Sequence, residues 1–395
     1  MKGRDIWMKR IFLCAERFFP RGDAGANRVL YIAKALQNQE WKVIVLSIGK
    51  NHEEHYTGTG YFYEDIQYEN ITCMMSGAVQ KVERLLFNGI KTVALLKKYS
   101  LTNTDKVYIY SSTAQYTSAV LQFAKKCGAA VVTDVVEWHQ PFQFKYGKYD
   151  PRYRSFMKCF NKLFVEAGNV IAISEMLKSH FKEKGCNVLK LPIFIEPRES
   201  FSYKPEEGKL NLIYPGNPYR KDSLEMMLEA LNMLSSEDKS RICLHLTGVT
   251  RQLLEQSVPG KEYLLDLDCV RIHGWMEYQE LMELYQSIDF ALIARPDNIV
   301  TKANFPSKVP ESMNRGIPVI INSIGDIVEY LRADQDAILI EETTSEACFA
   351  ALRKCLFKDK DELENMHRAA FESAHRIFDY KQNESKLDFF FRKIM

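Results

Sequence analysis

The chain has 395 residues, of which 46% are hydrophobic and 26% charged, and its formal net charge is +2. That length exceeds what one hydrophobic core usually serves, so two domains are expected, and no apolar run approaches the roughly 18 residues of a membrane span. The nine cysteines are scattered without a Cys-x-x-Cys pair, and the first eight residues lack the apolar stretch of a secretion signal; both point to a reducing cytoplasm and against a disulfide framework or structural zinc.

The small net charge conceals an asymmetry. Residues 1–195 hold 28 Lys and Arg against 17 Asp and Glu, a balance of +11, whereas residues 196–395 hold 25 against 34, a balance of −9. A basic half suits an anionic partner such as a membrane surface or a phosphate-bearing acceptor, unless the lysines are only a solvated face. The basic residues form no recognised nucleic-acid reading motif, so no nucleic-acid partner is expected.

In chain order, β-rich runs at 10–15, 42–46, 106–110, 129–133, 169–173 and 188–191 alternate with helical spacing at 27–37, 79–98, 114–126 and 175–184. This is the rhythm of a parallel α/β sheet. The first strand leads into a loop whose Gly25 lets a ligand approach the backbone, with Arg28 on the following helix available for a charge contact. Past the strand at 129–133 come Glu137, Trp138 and His139. An acid and an imidazole there suit contact with an acceptor hydroxyl or proton transfer, although a lone histidine is as often structural. The aromatic and basic run at 142–154, with Lys145 and Tyr146, suits an acceptor sugar or a lipid interface, or else packs as an ordinary loop and helix.

Residues 196–209 are polar, contain two prolines and read as a linker. Beyond them the alternation resumes, with strands at 210–214, 241–247, 270–273, 290–293, 318–322 and 337–340, and helices at 223–234, 278–286, 307–315, 345–357 and 361–378. The expected architecture is α/β, two doubly wound parallel-sheet domains at 1–195 and 196–379, with ligands at the carboxyl ends of strands in the cleft they face. By analogy with folds of this architecture, the tail 380–395 is expected to cross back onto the first domain and bury Phe389, Phe390 and Phe391.

Two stretches of the second half carry most of the chemistry. Tyr214-Pro215-Gly216-Asn217-Pro218-Tyr219-Arg220-Lys221-Asp222 places two adjacent cations at a strand-to-helix turn, suited to a diphosphate leaving group unless they are merely solvated. In Asn304-Phe305-Pro306-Ser307-Lys308, Pro306 opens a helix whose first turn, with Ser307 and Lys308, suits a phosphate. Glu311 lies one turn on, able to accept hydrogen bonds from ribose hydroxyls. An ordinary helix start with surface charges is the alternative.

Together these residues resemble the family 4 glycosyltransferases of the GT-B fold along nearly the full chain. The resemblance is carried by the Gly25-Ala26-Asn27-Arg28 loop, by Val170-Ile171-Ala172-Ile173-Ser174-Glu175, by Tyr214-Pro215-Gly216 through Lys221-Asp222, and by Phe305-Pro306-Ser307-Lys308 through Glu311 and Gly316-Ile317-Pro318-Val319. It implies two Rossmann-like domains and retaining transfer of a sugar from a nucleotide-diphosphate sugar, without metal or other cofactor. The acceptor it implies is a glycan or a lipid-linked chain, of the kind used in bacterial surface polysaccharide synthesis. Lys221 and Arg220 would hold the diphosphate, with Gly216, Asn217 and Arg295 near it. Ser307 and Lys308 would approach the phosphates, Glu311 the ribose, and Asn304, Phe305 and Pro306 the rest of the donor.

Gly25 would face the donor sugar. Arg28, Trp138, His139, Lys145 and Tyr146 would meet the acceptor, and Glu137, His139, Arg220 and Lys221 would take the catalytic roles. A cytoplasmic protein, touching the anionic inner membrane face, fits this picture. Two departures stand out: the family's glutamate eight positions before Glu311 is Ala303 here, and its arginine after the second-domain glycine is Asn217. The first keeps a non-catalytic nucleotide-sugar-binding subunit open. A sugar-nucleotide epimerase of the same architecture is the other alternative.

Overall fold

A computed structural model describes residues 9–20, 22–71, 77–218 and 221–394. The chain separates into two compact units, one formed by residues up to Phe194 together with Tyr380 onward, the other by Ile195–Asp379.

Unit 1 is built on β1 (Arg10–Phe18), β2 (Lys42–Ile48), β3 (Tyr61–Tyr63), β4 (Ile66–Ile71), β5 (Lys106–Tyr110), β6 (Ala130–Val135), β7 (Asn169–Ala172) and β8 (Asn187–Lys190). They lie in the order β3-β4-β2-β1-β5-β6-β7-β8, parallel throughout except for the β3–β4 hairpin. From β1 the chain first builds outward through β2 and β4, then returns to add β5 on the other side. The carboxyl ends of β1 and β5 therefore flank a topological switch point, where α/β sheets bind ligands.

The central strands are buried on both faces, which is why they read as near-continuous apolar runs. On one face the helix Gly77–Lys98 crosses the helix Ala114–Lys126. Gly89 allows the crossing, because a Cβ there would stand 2.9 Å from the Tyr116 Cα and 3.0 Å from the Ala119 Cβ.

The C-terminal helix Glu384–Lys393 also belongs to unit 1. Leu387, Phe390, Phe391 and Ile394 join its core, Phe391 meets Trp41 edge-on, and the Trp41 indole N–H donates to Asp388 at 2.8 Å. Phe389 departs from the expected buried trio: it is 60% exposed, because three consecutive helical positions cannot share one face.

Unit 2 comprises β9 (Leu210–Pro215), β10 (Ile242–Thr247), β11 (Val270–Gly274), β12 (Phe290–Ile293), β13 (Val319–Asn322) and β14 (Ala337–Ile340). Their order is β11-β10-β9-β12-β13-β14, all parallel. Counted within the unit this is 3-2-1-4-5-6, the doubly wound nucleotide-binding order, and its switch point lies between β9 and β12. Among the described residues no helix is long and apolar enough to cross a membrane.

Candidate functional site

At the switch point of unit 2, β9 ends in Tyr214-Pro215 and turns at Gly216, which takes φ +82°. The Gly216 N–H donates to the Thr247 carbonyl at 2.8 Å. The neighbouring turn is a glycine as well: a Cβ on Gly248 would come within 3.4 Å of the Gly216 Cα. Bare backbone thus lines this end of the sheet.

A charged cluster stands beside it. Lys308 Nζ donates to Asp222 Oδ2 at 2.5 Å and to the Tyr214 hydroxyl, and lies 4.2 Å from the centre of the Tyr214 ring. The Tyr214 hydroxyl donates to the same carboxylate oxygen at 2.5 Å. Arg295 Nε stands 3.6 Å from Asp222 Oδ1. Burial pulls the Lys308 pKa below its ordinary value, and Asp222 opposes the shift. Lys308 and Arg295 stand against Asp222, with Glu311 also acting on Lys308, and Lys221 next in sequence makes the count three cations to two carboxylates, a balance suited to an anion.

Arg295 itself is spent internally. Its side chain is 2% exposed, it donates to the Thr301 carbonyl at 3.2 Å and to Asn304 Oδ1 at 3.0 Å, and its backbone is clamped by Asn322. Asn304 is correspondingly occupied, Ala303 is buried, and Phe305 packs edge-on against Tyr330 and Phe378 with Pro306 buried beside it. These residues shape the recess rather than face it.

Lys308 is 18% exposed, and Ser307, Lys221 and Asn217 also reach the surface. Arg220 lies outside the described residues. Glu311 is open to solvent, although the protein mass around it raises its carboxyl above the ordinary range. The helix expected over 307–315 is only Lys308–Met313, ended by Gly316 at φ +75°. With so short a helix, side-chain cations rather than a dipole supply the positive field. Tyr214 and Asp222, which fix Lys308, were quoted in the sequence motif but carry no signal of this role there.

Unit 1 presents a second constellation at the carboxyl ends of β1, β5 and β6. A pocket of about 40 Å³ is walled by Arg17, Tyr110, Ser111, Glu137, His139 and Phe156 among others. His139 Nε2 is 3.0 Å from Glu137 Oε2, and its Nδ1 is 3.3 Å from Gln143 Oε1. Phe144 and Phe156 meet the ring edge-on at 5.5 and 4.7 Å. Trp138 turns the other way, onto Phe160 and His180.

Gly25 has a physical reason: a Cβ there would fall 2.6 Å from Arg17 Nε. The glycine makes room for the Arg17 guanidinium, which lies 5.2 Å from the centre of the Tyr110 ring. Burial works against the charge of Arg17, but Tyr110, Asp23 and Glu137 more than offset it and raise its pKa. Arg17 was missed in the sequence, and the glycine that accommodates it was the available signal.

Arg28, read as an acceptor contact, is 4% exposed. Its Nε and Nη2 donate to the two oxygens of Asp134 at 2.6 and 3.0 Å and its Nη1 to the Pro192 carbonyl at 2.9 Å, while the Tyr108 hydroxyl also donates to Asp134. This buried pair ties the first helix of unit 1 to β6 and to the end of β8. Lys145 and Tyr146 lie on an exposed turn. Among the described residues no group of three or more His, Cys, Asp or Glu is placed to hold a metal ion.

Residues 209–358 match the model of the family described as glycosyl transferases group 1. No curated protein sequence matches the chain. Among solved structures, a glycosyltransferase from Rickettsia africae is similar with a TM-score of 0.68 at 17% identity, over 98% of both chains. The Anabaena protein HepE, in complex with UDP and glucose, gives 0.68 at 14% identity, over 98% of this chain and 100% of that one. Sucrose-phosphate synthase from Thermosynechococcus elongatus gives 0.70 at 13% identity, over 98% of both. Identities this low speak for the fold alone.

Proposed function

We propose, from the match of residues 209–358 to the model of the group 1 glycosyl transferases and from the GT-B fold of the whole chain, that the protein transfers a sugar, with retention, from a nucleotide-diphosphate sugar to a glycan or lipid-linked acceptor. The observation that supports it best is the electropositive recess of Lys308, Lys221 and the glycine turn at the switch point of unit 2. A nucleotide diphosphate is the ligand such a recess suits. UDP-glucose is the first donor to try, since HepE is described in complex with it.

In this reading the diphosphate settles against the bare Gly216 backbone. Lys308 and Lys221 neutralise charge as the anomeric bond breaks, and Glu311 accepts hydrogen bonds from the ribose. Asp222 and Tyr214 hold the Lys308 ammonium in position before the donor arrives, so little reorganisation is left for the moment of reaction. With cations in that role the transfer needs no metal. Unit 1 takes the acceptor, its Glu137–His139 pair standing where a hydroxyl would be oriented.

Thermal melting against a panel of nucleotide diphosphates, followed by a transfer assay with chelator present, tests the proposal. The expected result is a melting rise with one nucleoside class and acceptor-dependent, chelator-insensitive loss of the donor. Donor conversion without any acceptor would support an epimerase, binding without turnover a non-catalytic subunit, and no binding at all would refute the assignment.

A further inference from the structure

We propose that the segment from Phe142 to Lys158 is a docking surface for an anionic phospholipid bilayer, which rests on the lipid-linked acceptor reading and says where that acceptor would be met. Phe142, Tyr146 and Tyr149 are 50%, 61% and 72% exposed, three large rings within two short turns. Lys145 and Lys148 alternate with them, each folded over the following ring with its ammonium 5.5 and 5.2 Å from the ring centre. Among the described residues neither lysine pairs with a carboxylate.

The helix Pro151–Lys158 adds Arg152, Arg154 and Lys158, and the stretch contains a single acid, Asp150, which caps that helix and pairs with Arg152. Tyrosine rings with a polar tip and lysines with long apolar stems are the side chains that settle at a lipid headgroup layer, the rings at the level of the headgroups and the ammoniums against lipid phosphates. A neutral glycan would use the rings but leave Lys145 and Lys148 without a counterpart. The basic balance of residues 1–195 points the same way.

The patch is also anchored to the candidate acceptor pocket. Phe144 turns inward from the same loop, meeting His139 edge-on at 5.5 Å and Tyr153 at 5.6 Å, with the Arg152 guanidinium 5.5 Å from its centre. A bilayer that engages the outer rings therefore lies next to the loop that carries His139.

Sedimentation with vesicles tests this. The full chain should co-sediment with phosphatidylcholine vesicles carrying one-third phosphatidylglycerol, should stay in solution with phosphatidylcholine alone, and should be released by salt. The variant Phe142→Ser/Lys148→Glu/Tyr149→Ser, whose changes are all on exposed side chains, should partition at least about tenfold less while melting at an unchanged temperature. Equal binding to neutral vesicles, undiminished binding of the variant, or release by a soluble oligosaccharide at constant salt would overturn the proposal. Nucleotide-induced melting shifts, read in parallel, keep the two ideas apart. Loss of vesicle binding alone sinks the docking surface, and loss of the nucleotide shift alone sinks the donor assignment.

Discussion

Lys308 shows how much one side chain's partners decide. It is held by Asp222 and the Tyr214 hydroxyl, so replacing it removes a cation from the recess and also strands a carboxylate that is 7% exposed. Lys308→Ala should therefore lower both turnover and melting temperature. Lys221 offers a second experiment: Lys221→Ala should cut kcat at saturating donor by about 100-fold or more, as loss of an oxyanion-type donor does. Near-normal turnover would remove Lys221 from the leaving-group site. The Arg-Lys and Ser-Lys motifs singled out Lys221 and Lys308. Their geometry was not legible there, because Asp222 and Tyr214 act through contacts 86 and 8 residues apart, to Lys308 and within the loop.

Two other residues set a pH response. His367 is fully buried, its ring stacked 3.6 Å from that of Tyr203, and burial lowers its pKa to about 3. Asp289, buried beside it, is raised by burial to about 6 although Tyr203 and the Asn211 N–H donate to it. The depressed histidine contributes stability that is full above the ordinary histidine pKa and drains away as pH falls. The raised aspartate contributes stability that is full below the ordinary carboxylate pKa and is lost as pH rises through about 6. Over mildly acidic pH the two oppose one another. Asp289→Asn should leave the histidine unopposed, so unit 2 should lose about 2 kcal/mol between about pH 6.5 and 5 by urea denaturation, more than the native chain loses. A variant profile no steeper than the native one would show that the Asp289 pKa is not raised, and a flat variant profile that the His367 pKa is not lowered.

At the scale of elements, the parallel strands were readable because burial on both faces writes them as apolar runs. The strands expected at 106–110, 290–293 and 337–340 match Lys106–Tyr110, Phe290–Ile293 and Ala337–Ile340 to the residue. The β3–β4 hairpin was missed for a specific reason. Its two-residue turn, Glu64-Asp65, takes φ +49° and +65°, the type I′ conformation, with neither glycine nor asparagine to announce it.

The close crossing of Gly77–Lys98 over Ala114–Lys126 was equally silent, since a glycine in a helix reads only as a weak point. Gly89→Leu should push the two helices apart and destabilise unit 1 by about 1–3 kcal/mol, seen as a lower melting transition for that unit. An unshifted transition would mean that the helices separate without strain.

For the whole molecule, the feature with the widest consequence is that unit 1 is not continuous in sequence. Its last contribution, from Tyr380 onward, seals the face where Tyr31 stacks on Tyr380, Trp41 bonds Asp388, and Lys106 donates to the Ile394 carbonyl at 2.6 Å. A ribosome delivers Ile195–Asp379 in full before those residues emerge. Unit 2 can thus complete its sheet while the first-made unit still waits with an open apolar flank. The unit begun first is thus the one closed last, once the residues from Tyr380 onward have emerged.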